Sequence, residues 1–349
     1  MPDDSSSENT QFEAQQISRR KILKLAGGLM LSGAALAACG DSVLTPTSMP
    51  SPAPTLRPTL PRGTNGALVD EFGDPATPLE KIRAWGNYYE FIRSNEGIQA
   101  AAKNLITSPW QVQVGGLVRT PRTFDLDDLR KLGQEERIYR QRCMQAWSKV
   151  VPWTGFPLHK LLALVEPTDE ARWVRFESLY DPTQMPGQDK NSPAYAHWLT
   201  SGGERDMGPG RAVNTPYVWP YIEALRLDEA MHDLTLLATG LYGQPLFPEN
   251  GAPVRLVVPW KYSFKGIKAI VKIELVADRP VTFWNRVDPE SMGFWANVNP
   301  DVPTPRWKQG REMRMLGQKP EPLMSTLMFN GYAADVASMY QGMDLTKDF

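Results

Sequence analysis

Residues 142–158 form the stretch of the sequence that decides the fold. They read Arg142-Cys143-Met144-Gln145-Ala146-Trp147-Ser148-Lys149-Val150-Val151-Pro152-Trp153-Thr154-Gly155-Phe156-Pro157-Leu158. Cys143 is one of two cysteines in the chain, and the other, Cys39, lies near the N-terminus. A thiol without a partner is a buried small apolar group, a thiolate nucleophile or a metal ligand. The neighbours of Cys143 must distinguish these three interpretations.

The N-terminus has the pattern of a twin-arginine export signal. Arg19 and Arg20 precede residues 25–38, an apolar stretch rich in Ala, Gly and Leu that is too short for a dependable membrane-spanning helix. The alternative is an ordinary secretory signal that contains two arginines by chance. The twin-arginine route carries folded proteins, so this pattern predicts that a cofactor is inserted before export.

The end of this signal resembles a bacterial lipobox. Leu36-Ala37-Ala38 precedes Cys39, which would become the lipidated first residue of the mature protein, and the alternative is a plain cleavage site near Ala38. Residues 40–63 are rich in Pro, Ser and Thr and predict an extended linker. We therefore expect residues 1–39 to be a signal peptide with a lipobox. The mature protein is expected in the periplasm or on the outer face of the cytoplasmic membrane, with membrane contact through a lipid anchor at Cys39.

The composition excludes several functional classes. A net charge of −1 provides no basic field for nucleic acid. The three histidines, His159, His197 and His232, lie far apart, so a zinc or iron–sulfur site built from protein ligands is not expected. The chain also lacks the glycine-rich dinucleotide motif, the P-loop and the Gly-x-Ser-x-Gly motif.

The hydrophobic pattern predicts strands separated by short helices and long loops. Strands are expected at 109–116, 138–143, 173–179 and 267–276, and a helix at 158–165. Residues 153–157 are expected to form a turn, and residues 234–241 a helix or a buried strand. The folded part is expected to divide into a domain over 64–312 and a C-terminal extension over 313–349. This alternation predicts an α+β fold with mixed sheets and many loops.

The chemistry of a single thiolate points to a metal that brings its other ligands with it. Thiolate sulfur is a soft ligand, and Arg142 is expected to lower the pKa of the Cys143 thiol. A pterin dithiolene cofactor supplies two further sulfurs to molybdenum and also carries a phosphate. Residues 250–255 and 262–268 offer amides and cations for such a group, although each segment alone is more typical of a turn or a solvated strand end.

The segment 142–158 resembles the sulfite oxidase fold. Within that fold, the chain is similar to the catalytic subunits of bacterial molybdopterin-dependent protein-methionine-sulfoxide reductases, from about residue 75 to about residue 310. The other matching segments are Asn87 to Phe91, Phe176 to Ser178, Leu225 to Met231, Asn250 to Arg255, Val258 to Lys268, Ala296 to Pro300 and Pro305 to Trp307.

This resemblance implies a molybdopterin-binding oxidoreductase domain over residues 64–312, with one molybdenum per chain held as Mo-molybdopterin. Cys143 would be the catalytic residue and the molybdenum ligand. The residues implied to bind the cofactor are Asn87, Tyr89, Glu90, Cys143, Ser178, Asn250, Arg255, Gly266, Ile267 and Lys268. The chain departs from the family at Gly86, where a second Asn is usual, at Gln145, where Glu is expected, and at 188–220, which is longer than usual.

The resemblance also implies a function. The enzyme would remove oxygen from methionine sulfoxide in oxidised cell-envelope proteins, with electrons from a haem-containing membrane subunit fed by the quinone pool. One alternative is a reductase of small sulfoxides or N-oxides, or an enzyme that oxidises sulfite, because a fold alone does not select the substrate. The other alternative is a tethered binding protein without a metal, in which Cys143 is buried.

Overall fold

The computed structural model describes residues 68–189 and 217–349, and two β-sheets organise this part of the chain. The strands are β1 (Gln111–Gly116), β2 (Arg122–Asp125), β3 (Glu135–Arg142), β4 (Trp147–Pro157), β5 (Trp173–Ser178), β6 (Ile222–Arg226), β7 (Leu236–Leu241), β8 (Gln244–Pro245), β9 (Arg255–Val257), β10 (Ile270–Val276), β11 (Arg311–Arg314) and β12 (Leu323–Ser325). The helices are α1 (Leu79–Ala84), α2 (Ile98–Ala102), α3 (Leu126–Arg130), α4 (Leu158–Val165), α5 (Leu227–Met231), α6 (Phe283–Val287) and α7 (Ala333–Val336). Short 3₁₀ turns lie between them, including Pro248–Asn250 and Ser263–Lys265.

Both sheets are mixed. The five-stranded sheet has the order β2-β1-β10-β5-β6, and only its β1–β10 pair is parallel. The seven-stranded sheet has the order β12-β11-β4-β7-β8, with β3 also paired to β4 and β9 to β7. Its β11–β4 pair is parallel. The predicted α+β class with mixed sheets is therefore confirmed.

The local predictions are confirmed where the hydrophobic period is clear. Helix α4 begins at Leu158, ends at Val165 and buries Leu158, Leu161, Leu162 and Val165, which is the spacing of one helix face. Strands β3, β5 and β10 lie where alternation predicts them. The ambiguous segment 234–241 contains strand β7, and all six residues of this strand are buried.

The predicted turn at 153–157 is wrong, because these residues belong to strand β4. Gly155 pairs with Glu135 on one side and with Ala238 on the other. A Cβ atom at Gly155 would lie 2.2 Å from the backbone oxygen of Leu237. The glycine therefore permits two strands to approach closely at an irregularity in the β4–β7 register.

The predicted boundary at residue 313 lies inside strand β11, which pairs Met313 with Trp147 of β4. Further along the chain, the Tyr340 hydroxyl donates to Glu229 Oε1 at 2.5 Å and accepts from Trp260 Nε1 at 2.8 Å. Residues 313–349 therefore supply a strand and a buried hydrogen-bond network to the same body as the preceding domain.

Several predictions lie outside the described residues. These are the signal peptide, the lipobox at Cys39, the linker, and the part of the long 188–220 segment from 190 to 216. Across 68–189 and 217–349, no helix combines the length and the apolar character needed to cross a membrane.

The ion pairs of Asp233 predict a loss of stability in acid. His159 Nε2, 3.6 Å away, and the Arg137 guanidinium at 3.2 Å hold the pKa of Asp233 at about 2. The unfolded chain therefore binds more protons than the folded chain between pH 3.8 and 2, and the free energy of unfolding falls as the pH falls through this window. We expect Asp233→Asn to lose about 1–2 kcal/mol at pH 5 and little at pH 2.

Urea unfolding of both proteins at the two pH values measures this difference. Asp127→Asn is the matched control, since its carboxylate is 76% exposed and pairs with the half-exposed Arg130. A loss in Asp233→Asn that is equal at pH 5 and pH 2 would contradict the assignment.

Candidate active site

A tight hairpin loop presents the Cys143 thiol. The loop joins β3 to β4, and the N–H of Cys143 donates to the carbonyl of Trp147 at 2.8 Å. Ala146 has a φ of 61°, a left-handed conformation that is costly for a residue with a side chain. The N–H of Met313 on β11 donates to the carbonyl of Ala146 at 2.9 Å. The sheet therefore holds a strained loop in place from two sides.

Arg142 fixes the base of this loop through a buried ionic network. Its guanidinium is fully buried, donates from Nε to Glu312 Oε2 at 2.8 Å and also bonds the carbonyl of Cys143. The other oxygen of Glu312 accepts from Arg314 at 3.1 Å, and Arg314 reaches Asp74 at 2.9 Å. Charges from three separate parts of the chain therefore meet behind the cysteine.

The thiol of Cys143 is not a ready nucleophile. Burial raises its pKa to about 11, and a backbone hydrogen bond and the charges of Arg142, Lys149 and Lys268 lower it only in part. The predicted lowering of the pKa by Arg142 is confirmed, although burial raises the pKa by more. The physical reason is that the thiol is only 6% exposed and its desolvation outweighs these charges. A metal ion would deprotonate such a thiol on binding it.

Amide side chains surround the sulfur. Asn87 Nδ2 lies 3.4 Å from Cys143 Sγ and 3.2 Å from Gln145 Oε1. The same Gln145 oxygen accepts from Asn95 Nδ2 and from Trp147 Nε1, each at 3.1 Å. Three N–H donors therefore converge on one neutral oxygen, at the position where the family resemblance predicts a carboxylate.

A cavity of about 540 Å³ opens in front of the thiol. Strand β4 forms one wall with its alternate residues Trp147, Lys149, Val151 and Trp153, as expected for side chains on one face of a strand. The volume lies within the range of small-molecule sites, which is roughly 300–1,000 Å³.

The structure brings seven of the ten predicted site residues to the wall of this cavity. They are Asn87, Tyr89, Glu90, Cys143, Asn250, Arg255 and Lys268. Ser178, Gly266 and Ile267 do not line it. Residues that are up to about 180 positions apart in the sequence therefore form one site only through the tertiary fold.

The resemblance assigns Gly266 and Ile267 to a pocket of backbone amides, and the geometry differs. Their N–H groups donate to the carbonyls of Ser263 and Lys265, each at 3.0 Å, so both amides are used within the turn. The carbonyl of Gly266 accepts from Arg255 Nη2 at 3.1 Å, and a Cβ atom at this position would lie 2.9 Å from that nitrogen. The glycine thus makes room for the arginine.

The cavity wall is positively charged. Burial lowers the pKa of Arg255 to about 10, that of Lys268 to about 8 and that of Lys149 to about 7. Burial also raises the pKa of Glu90, while the charge of Lys268 lowers it. Three cations that are costly to bury favour an anion in the cavity, because it would compensate their desolvation.

Buried polar atoms that lack a hydrogen-bond partner provide a further test of which chemical group fits the cavity. Among the described residues, no hydrogen-bond partner is found for the buried Asn250 Oδ1, Trp85 Nε1 and Trp153 Nε1, whose side chains line the cavity. The Ser178 hydroxyl is also buried without such a partner, outside the cavity wall. An anionic group with both N–H donors and acceptors would satisfy these atoms, so a phosphorylated pterin fits the residues present.

The chain itself supplies one soft ligand. In the parts of the chain that the structure describes, no group of three or more His, Cys, Asp or Glu side chains could hold a metal ion. A metal bound by Cys143 would therefore take its other ligands from a cofactor.

Sequence reasoning missed Lys149 as a cavity residue. It lies within the apolar run Trp147-Ser148-Lys149-Val150-Val151, where a charged residue at an alternate position is unusual. The alternation of this strand was the signal that could have revealed it. The cavity residues Trp85, Trp307 and Tyr217 carry no comparable local signal.

The chain is similar to known proteins in sequence and in fold. The family described as "Oxidoreductase molybdopterin binding domain" matches residues 99–201 and 194–284, which together span more than half of the chain. A solved structure, the sulfane dehydrogenase SoxCD from Paracoccus pantotrophus, is 19% identical with a TM-score of 0.37. The match covers 57% of this chain and 46% of that chain, so this chain spans less than half of its length.

Proposed function

Because the chain belongs to the family of molybdopterin-binding oxidoreductase domains, we propose that it is a molybdenum-dependent reductase of methionine sulfoxide residues in proteins. The family match together with the mixed sheets confirms the predicted sulfite oxidase-like fold. The observation that carries the proposal is the buried Cys143 thiol in the wall of a cation-lined cavity.

The described residues have distinct roles toward the cofactor. Cys143 would bind the molybdenum, about one per chain, as expected for one thiolate. Arg255 and Lys268 would hold the phosphate, and Asn250 Oδ1 would accept an N–H from the pterin. The bound cofactor supplies two-electron oxygen-atom chemistry. The protein orients this group and excludes water from it.

A second set of cavity residues supports a thioether-like substrate. The half-buried aromatic side chains Phe264 and Trp307 line the cavity together with Met144 and pack in one hydrophobic cluster with it. Sulfur and methyl groups pack favourably against aromatic rings, with about 0.3–1.5 kcal/mol per contact.

The cellular setting follows from the N-terminal sequence. We propose export by the twin-arginine route, and a lipid anchor at Cys39 that holds the enzyme at the outer face of the cytoplasmic membrane. The substrates would be oxidised proteins of the cell envelope, and a haem-containing membrane subunit would supply electrons from the quinone pool. The pairs Arg19-Arg20 and Ala38-Cys39 support this placement.

The test is a substrate panel assayed with a chemical reductant. The exported protein is purified from cells that make the cofactor, and its molybdenum and pterin contents are measured. We expect a kcat/KM at least about tenfold higher for an oxidised protein with surface methionine sulfoxides than for dimethyl sulfoxide or an N-oxide. Preference for the small substrates, or oxidation of sulfite, would favour the alternative enzymes. Protein without molybdenum would favour a binding protein.

A further inference from the structure

Lys149 lies in the cavity wall on strand β4, between Trp147 and Trp153. On one side along the strand, two residues away, Trp147 donates to Gln145 beside the thiol. On the other side, four residues away, the ring of Trp153 lies 5.0 Å from the Arg255 guanidinium. At about 3.3 Å per residue, the Cα of Lys149 is roughly 7 Å from that of Trp147 and 13 Å from that of Trp153. The side chain therefore faces the cavity between the thiol end and the Arg255 end.

The Lys149 ammonium is held in place but its charge is not neutralised. Its Nζ donates to the backbone carbonyl of Trp85 and lies 3.5 Å from that of Ile82. In the described ranges, no carboxylate lies within ion-pair distance of Lys149, which is only 5% exposed. The cavity carboxylate of Glu249, by contrast, is paired with Arg83 at 2.7 Å.

Asn250 provides an independent observation at the same place. Its Nδ2 donates to the carbonyl of Ile82 at 3.1 Å, so one carbonyl positions both Asn250 and Lys149. The side chain is only 9% exposed, and its Oδ1 is buried without a hydrogen-bond partner among the described residues. The ammonium of Lys149, which has no carboxylate partner among the described residues, and the side chain of Asn250, whose Oδ1 has no donor there, therefore both lie at the carbonyl of Ile82.

We propose that Lys149 is a further cofactor-binding residue, whose ammonium compensates a negative charge of the pterin cofactor while Asn250 Oδ1 beside it accepts one of the N–H groups of the pterin. The inference rests on the molybdopterin site of the proposed function but not on its substrate. Burial lowers the pKa of Lys149 to about 7, as expected for a cation that lacks its counter-charge. An anion beside it would restore the charged form.

Lys149→Met tests the proposal, because methionine keeps the length of the side chain and removes the charge. In the full-length protein made without cofactor, we expect unchanged or higher resistance to urea, because an uncompensated buried charge is lost. In the cofactor-loaded protein we expect the variant to unfold at a lower urea concentration than wild type. The loaded variant should also lose its pterin and molybdenum about 10- to 100-fold more readily on dilution.

Lys131→Met is the matched control, since this lysine is 74% exposed and does not line the cavity. It should change neither urea resistance nor cofactor retention. Equal destabilisation of the free and loaded forms of Lys149→Met, with unchanged cofactor retention, would overturn the proposal. If the cofactor-free protein does not fold, unchanged retention alone would overturn it.

The substrate panel separates this inference from the proposed function. If wild type reduces protein-bound methionine sulfoxide and Lys149→Met retains its cofactor normally, only the role of Lys149 fails. If Lys149→Met loses cofactor while wild type acts on sulfite or small sulfoxides instead, only the proposed substrate fails.

Discussion

Cys143→Ser is expected to reduce kcat/KM by at least about 10²-fold and to lower the molybdenum content of the purified protein. Replacing groups around a metal ligand typically costs roughly 10–100-fold, and loss of the ligand itself should cost at least as much. A serine hydroxyl is a hard ligand that stays protonated at neutral pH, whereas molybdenum bound through sulfur requires a thiolate. Enzyme assay and metal analysis of the same preparations measure both effects.

The fold of this variant should survive. Serine is close to cysteine in size, and Asn87 Nδ2 and the N–H of Gln145, each 3.4 Å from the sulfur, are donors for the new hydroxyl. We therefore expect the urea midpoint to change little in the cofactor-free form.

Cys39→Ser is the matched control, because Cys39 is the other cysteine of the chain and lies outside the described residues. It should leave kcat/KM per molybdenum unchanged. A Cys143→Ser enzyme with normal activity and molybdenum would show that the thiol is only a buried packing group.

Glu312→Ala is expected to destabilise the protein by about 3–5 kcal/mol, because it leaves a buried guanidinium without its counter-charge. The side chains of Arg142 and Glu312 are 0% and 3% exposed, and their ion pair spans 2.8 Å. Arg142 immediately precedes Cys143 and also bonds its carbonyl, so the loop that presents the thiol should shift as well. We expect kcat to fall more than KM rises, since a small displacement of a catalytic group is costly.

Urea unfolding and steady-state kinetics of the loaded protein test this expectation. Glu136→Ala is the matched control, because Glu136 is exposed on strand β3 of the same sheet and its loss should change stability by no more than about 0.5 kcal/mol. If Glu312→Ala lost no more stability than this control, the ionic network behind the cysteine would not hold the loop.

The ionic network also explains why the C-terminal residues matter for the site. Glu312 and Arg314 lie on strand β11. The sequence pattern places the boundary between the domain and a C-terminal extension within this strand, after Glu312. In the fold, this strand lies beside the start of β4 and supplies the counter-charge of Arg142. Parallel pairing between positions so far apart leaves no local periodicity to reveal it.

Local sequence determined the helix at 158–165 and the strand that leads to Cys143. These features depend on short-range periodicity and on residue type, and both can be read directly along the chain. The sequence also determined the family resemblance, and with it seven residues that line the cavity. The predicted turn at Gly155 failed because glycine serves both turns and close strand contacts, and local sequence does not distinguish them.

Only the tertiary structure decided how the charges of the site interact. The net rise in the pKa of Cys143, the uncompensated ammonium of Lys149 and the pairing of Arg142 with Glu312 all depend on burial and on partners distant in sequence. Electrostatic energies vary with solvent exposure and with distances of a few ångströms, which the order of residues does not specify. The sequence therefore determined which chemical groups are present, and the fold decided which of them are buried together.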